Sequence, residues 1–124
     1  MILFDKNVFH LKTDHYSYLF RVNDRGILEH LHFGAPAGCD LPMGVYNDQG
    51  RIHPAIRLDA DGNKYDLCAI PQELTTPYGG DYYEPSLVLE FPNGGRRSDL
   101  VYAGHEIFNT KPMPEGLPGI RKGQ

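Results

Sequence analysis

Three carboxylates, Glu73, Asp81 and Glu84, lie close together in the stretch IPQELTTPYGGDYYEP, residues 70–85. Glycoside hydrolysis needs two carboxyl groups about 5–9.5 Å apart, one acting as acid and the other as nucleophile or base. The same stretch carries Tyr78, Tyr82 and Tyr83 around Gly79 and Gly80. Aromatic rings that stack on the C–H face of a sugar, with carboxylates that accept its hydroxyls, are common tools of carbohydrate recognition. Two plainer readings stand beside these. Acids in a Pro/Gly loop usually serve as solvated or hydrogen-bonding groups, and loop tyrosines commonly pack the loop onto the body beneath it. The spacing singles out no catalytic pair, and no catalytic residue is assigned.

Metal chemistry has two candidates. His30 and His32 are two residues apart, so on a regular strand they project from one face, with His10, His15, His53 and His105 as further ligands to choose from. The run DADGN, residues 59–63, opens like a calcium loop, but Ile70 stands where the acidic residue at its twelfth position belongs. A hairpin turn accounts for DADGN, and hydrogen bonding for the histidines, without any ion. Neither a metal nor a cofactor is expected.

The elements that must position these groups are strands. Alternation of period two runs through residues 8–11, 16–22, 27–33, 55–58, 64–70, 86–91 and 98–108, while helical periodicity is nearly absent. On 16–22, Tyr16, Tyr18, Phe20 and Val22 share one face. Turns at 23–26, 59–63 and 92–95 join neighbouring segments into three hairpins. The fold class is therefore all-β, an antiparallel β-sandwich with little or no helix. Six or seven short strands leave edges that need covering, so the chain is expected to be part of a larger β body.

The 124 residues suit a single domain spanning 1–124. A formal net charge of −4 without a Lys/Arg block argues against a nucleic-acid partner. The opening MILF meets Asp5 and Lys6 at once and resembles no signal peptide, and no segment has transmembrane length, so no membrane partner and a cytoplasmic location are expected. Cys39 and Cys68, with no CxxC spacing, read as small packed side chains more readily than as a disulfide.

The second half of the chain resembles the N-terminal region of family 36 α-galactosidases. There a "LPQEYP-YG-GDFREPAL" stretch precedes a strand, an Asn/Asp-Gly turn, a "DLRY-SH-I" strand and a "GKP-LEGLP" close. The matching residues are Pro71-Gln72-Glu73, Tyr78-Gly79, Gly80-Asp81-Tyr82, Glu84-Pro85, Asp99-Leu100, Tyr102, His105-Glu106-Ile107, Lys111-Pro112 and Gly116-Leu117-Pro118. Residues 9–34 are similar to the family's opening "FHL-T-N-SYVF-V---G-L-HLYFG". Tyr83 departs from the family's usual Arg, and Cys68 stands where the family carries an acid.

The resemblance implies the N-terminal part of a β-supersandwich within a longer multidomain glycosidase. Both catalytic aspartates of its retaining mechanism would lie on a barrel outside this chain. It implies no cofactor, a galactoside substrate for the parent enzyme and a homo-oligomer. Glu73, Tyr78, Asp81 and Glu84 then serve loop ordering, subunit contact or the rim of a sugar site. The alternative is a stand-alone carbohydrate-binding or mutarotase-like β-sandwich, for which His30, His32, His105 and Glu106 are the available parts.

Overall fold

The computed structural model describes residues 1–38, 56–77 and 84–110. Six strands are present among them: β1 (Ile2–Asp5), β2 (Val8–Lys12), β3 (Ser17–Val22), β4 (Leu28–Gly34), β5 (Ile56–Leu58) and β6 (Lys64–Asp66). The first four form one antiparallel sheet in chain order, and β5–β6 form a separate hairpin. The only helical element among the described residues is one 3-10 turn, Leu67–Ala69. The all-β, antiparallel class expected from the alternation therefore holds. No helix among these residues is long and apolar enough to cross a membrane.

Turn chemistry sets the strand boundaries. β1 and β2 are joined by Lys6 and Asn7, both at positive φ (46° and 64°), the geometry that matches the twist of a two-residue hairpin. Lys-Asn is a poor signal for that turn, which is why β1 is not among the segments expected from alternation. Between β2 and β3, Thr13 Oγ1 accepts from the backbone N–H of His15 (3.2 Å) and Tyr16 (2.9 Å). Between β3 and β4, Asn23 Oδ1 accepts from the N–H of Arg25 and Ile27, both at 2.9 Å. Gly26 follows at φ +74°, where a side chain would also crowd Val101 Cβ at 3.3 Å.

β4 contains a bulge. Leu19 pairs with His32 and Phe20 with His30, so the register shifts by one residue at Leu31. The extra residue is absorbed at one point, and His30 and Phe33 emerge on the same face as Tyr18 and Phe20. That face carries a cross-strand aromatic row. Phe4 and Phe9 lie 4.5 Å apart and Phe9 and Phe20 4.7 Å apart, ring centre to ring centre. Residues 102–105 cross over one end of it: Tyr102 N–H donates to Gly26 O (2.8 Å), and the His105 ring sits 4.3 Å from Phe4 and 4.7 Å from Phe9. The opposite face holds Leu19, His10 and Ser17, all buried.

Three expected segments differ. The strand expected over 64–70 stops at Asp66, whose side chain accepts from Cys68 N–H (2.8 Å) and starts the 3-10 turn. At the third hairpin the turn forms, with Phe91 N–H donating to Gly95 O and Gly94 N–H to Phe91 O, each 2.8 Å. Its arms, 86–91 and 98–108, are assigned no ladder among the described residues. Their alternation is real, but it leaves Val88, Leu100, Val101, Ile107 and Phe108 about half exposed or more.

Candidate functional site

Residues 71–73 run antiparallel along the outer edge of β4. His30 N–H donates to Pro71 O (2.7 Å), Glu73 N–H donates to Leu28 O (2.9 Å), and Glu29 and Gln72 form an isolated bridge. This short pairing delivers the Glu73 carboxylate onto the aromatic face. There Oε1 meets His30 Nδ1 at 2.7 Å, and Oε2 accepts a short hydrogen bond from the Tyr18 hydroxyl. Burial first, then the bond to Glu73 and its negative charge, drive the Tyr18 phenol well above its ordinary value. Tyr18 is therefore a fixed donor at working pH, not a base. It also touches Phe33 edge-on at 6.0 Å, and Tyr16 lies parallel to Phe33 within 4° at 6.2 Å.

Beyond Glu73 the chain departs into the loop and returns through a polar clasp. Thr75 O accepts from Ser86 N–H (3.0 Å) and Leu87 N–H (3.2 Å). Thr75 Oγ1 donates to Glu84 O (2.9 Å) and accepts from Ser86 N–H (3.0 Å). Thr76 Oγ1 donates to Ser98 O at 2.6 Å. Both threonines are buried, so the two ends of the loop are held together whatever lies between.

Of the residues singled out from the sequence, Glu73 is thus part of a Tyr–Glu–His cluster. Glu84 contributes its backbone carbonyl and is exposed. Tyr78 and Asp81 lie outside the described residues, as do Tyr82, Tyr83, His53 and Cys39. Sequence reasoning missed Tyr18 and His30 as partners of Glu73, because 55 and 43 residues separate them and only the edge pairing brings them together.

The metal candidates fall differently. The bulge sets His30 and His32 on opposite faces, so they do not form a pair; His32 Nε2 instead lies 3.1 Å from Ala35 O. His105 is engaged with the Tyr102 hydroxyl at 2.6 Å. No group of three His, Cys, Asp or Glu side chains among the described residues can hold a metal ion. In DADGN, Asp59 Oδ1 accepts from Asn63 N–H (2.8 Å) and Asp61 N–H (3.1 Å), which is the chemistry of a turn.

A cleft of about 440 Å³ opens between the β5–β6 hairpin and residues 97–101, with Arg25, Arg57, Tyr65, Arg97 and Asp99 on its walls. Asp99 joins Arg57 (2.7 Å) to Arg97 (3.1 Å), and Arg25 reaches Asp59 at 3.3 Å while lying over the Tyr65 ring. Partial burial raises Asp99, but the bonds and charges of Arg57 and Arg97 outweigh it and hold the carboxyl below its usual range. These pairs tie β5 to the segment after the third turn.

The profile of the glycosyl hydrolase family 36 N-terminal domain matches residues 26–123, and the chain belongs to that family. It is 31% identical over 117 residues to the bifunctional α-galactosidase/sucrose kinase of Mediterraneibacter gnavus, covering 94% of this chain and 12% of that protein. To an α-galactosidase of Lactobacillus acidophilus it is 29% identical, covering 95% of this chain and 16% of the relative. The solved family 36 α-galactosidase AgaB of Geobacillus stearothermophilus superposes with a TM-score of 0.77 at 26% identity, over 96% of this chain and 16% of that one. The chain thus spans about one eighth to one sixth of the length of these relatives.

Proposed function

We propose that this chain is the leading β-domain of an α-galactosidase, acting as a scaffold and interface piece for a hydrolase that removes terminal α-galactosyl groups from raffinose-type sugars. The observation that carries this is the family match over residues 26–123 together with a 0.77 superposition on a solved α-galactosidase. The two carboxylates of a retaining mechanism belong, in this reading, to the barrel domain that the resemblance implies. No cofactor is required, and the enzyme acts in the cytoplasm as a homo-oligomer.

Within that assembly the loop that begins at Glu73 is the contact element. The Tyr18–Glu73–His30 cluster and the Thr75–Ser86 clasp support this role by fixing where the loop leaves and re-enters the sheet. Glu73 orders the base, and Tyr78, Asp81 and Glu84 are assigned to subunit contact or peripheral sugar contact. Expressing the longer hydrolase of which this chain is, in this reading, the leading β-domain, and assaying it on a chromogenic α-galactoside with its mass measured in parallel, tests the proposal. Turnover by an oligomer is expected, and a monomer that leaves the substrate intact defeats it.

A further inference from the structure

On the face of the first sheet away from the aromatic row, one hydroxyl joins three parts of the chain. Ser17 Oγ accepts from Ala37 N–H at 2.9 Å and lies 3.0 Å from His10 Nε2. Ser17 is fully buried and His10 is 4% exposed, so bulk water has no access to the hydroxyl. This fixes where its proton goes. Ser17 Oγ gives a lone pair to Ala37, and Nε2 of a neutral His10 is the acceptor that its O–H faces among the described residues. Ala37 N–H, Ser17 O–H and the imidazole thus form a chain of bonds with a single donor direction.

The surroundings of His10 keep it neutral at ordinary pH. Burial first, then Lys12 on its own strand and His32 on β4, each lower its affinity for a proton. Its cross-strand neighbours, Leu3 on β1 and Leu19 on β3, carry no charge. A second histidine ties the same stretch of chain. His32 Nε2 lies 3.1 Å from Ala35 O, a carbonyl, so this nitrogen carries a proton and donates. A further proton on His32 enters at Nδ1 and leaves that bond in place. Residues 35–37 are therefore held at two points that answer acid differently.

We infer that residues 35–37 form an acid-released latch, in which a proton on His10 removes the acceptor of the Ser17 hydroxyl and Ala37 leaves Ser17 while Ala35 stays on His32. The proton taken up sits on Nε2, which turns from acceptor to donor, and no covalent bond changes. Ser17 Oγ then meets two donors, and its own O–H is left without a partner in a buried place. His10 and Ser17 cannot easily move, since His10 pairs with Leu19 and Ser17 with both Lys12 and Gly34. Ala37 belongs to no strand, so it is the member that gives way and lets water reach the hydroxyl. The latch does not depend on the α-galactosidase reading.

The test is hydrogen–deuterium exchange of the intact protein, resolved to the Ala37 amide by fragmentation mass spectrometry. Labelling times are scaled at each pH to the intrinsic exchange rate. Protection of Ala37 should fall roughly tenfold between about pH 7 and about pH 4.5, while the amides of β3 keep theirs. His10→Gln offers Ser17 an amide that takes up no proton, so Ala37 protection should stay level over the same range. Ser17→Ala should leave Ala37 poorly protected throughout. Unchanged far-UV circular dichroism at neutral pH checks that both variants fold, and if Ser17→Ala does not, His10→Gln decides alone. An equal fall in His10→Gln, no fall in the parent across the range, or loss of protection at Ala37 and β3 together would each overturn the latch.

Discussion

Glu73 Oε1 and His30 Nδ1, 43 residues apart in the chain, meet at 2.7 Å on one face of the first sheet. The contact exists because residues 71–73 pair with the edge of β4, and it fixes the point from which the chain runs on to Thr75. Replacing Glu73 with Gln should keep the shape but lose the charge that both His30 and the Tyr18 hydroxyl address. A loss of about 1–2 kcal/mol in urea unfolding is expected. The Tyr18→Phe change should cost less, and the double variant should fall short of the sum, since both remove the same bond.

The clasp at Thr75 offers a second test. Thr75→Val retains the backbone bonds to Ser86 and Leu87 but removes the hydroxyl that serves Glu84 and Ser86. Stability should fall by about 1–2 kcal/mol. The Ser86 amide should exchange with deuterium faster than the amides of β2 and β3. Equal protection in both proteins would show that the hydroxyl does not hold the loop ends.

Gly26 is constrained twice, by its φ of +74° and by Val101 Cβ at 3.3 Å from where its own Cβ would stand. Gly26→Ala should cost about 1–3 kcal/mol. Gly62, at φ +81° with nothing within 4 Å, supplies the control. Gly62→Ala should cost only the conformational part, about 1 kcal/mol. Thermal melts of the two variants separate strain from crowding.

Stability should also respond to pH through His10. Burial first, then the charges of Lys12 and His32, hold its imidazole below the ordinary 6.5. Between that lowered value and 6.5 the unfolded chain binds more protons than the folded one, so stability rises with pH through this window and falls as pH drops through it. His10→Gln should flatten the slope just below pH 6.5. The depressed carboxyl of Asp99 acts in a lower window: its contribution is present above about pH 3.8 and is lost as pH falls further. Melting temperatures across the acid range read both.

Asp99→Asn probes the double ion pair on the cleft wall. Asp99 is 45% exposed, so solvent screens the pair and the cost should stay under about 1 kcal/mol. The difference from the parent should shrink further in 1 M salt.

Period-two alternation made β2, β3, β4 and the β5–β6 hairpin legible, because side-chain direction on a strand is a local property, and turn residues marked the three turns. β1 was hidden because its turn uses Lys6 and Asn7 without a glycine. The bulge was hidden because nothing in LEHLHFG marks where the register against β3 shifts, and with it went the side on which each histidine lies. Glu73 could be picked out as a polar residue in a loop base. Its partners could not, since pairing with the edge of β4 is a tertiary event. The motif resemblance located the family where physical patterning alone offered only a β-rich domain.

Leu31 is the residue of β4 at which the register against β3 shifts. Excising it would restore plain alternation and leave His30, His32 and Phe33 pointing where they do now, while removing the local bend that the bulge imparts. Excising any ladder residue on either side would exchange inside for outside along part of the strand. The sheet is therefore tolerant of a one-residue shortening at a single address, and intolerant of the same change one step away.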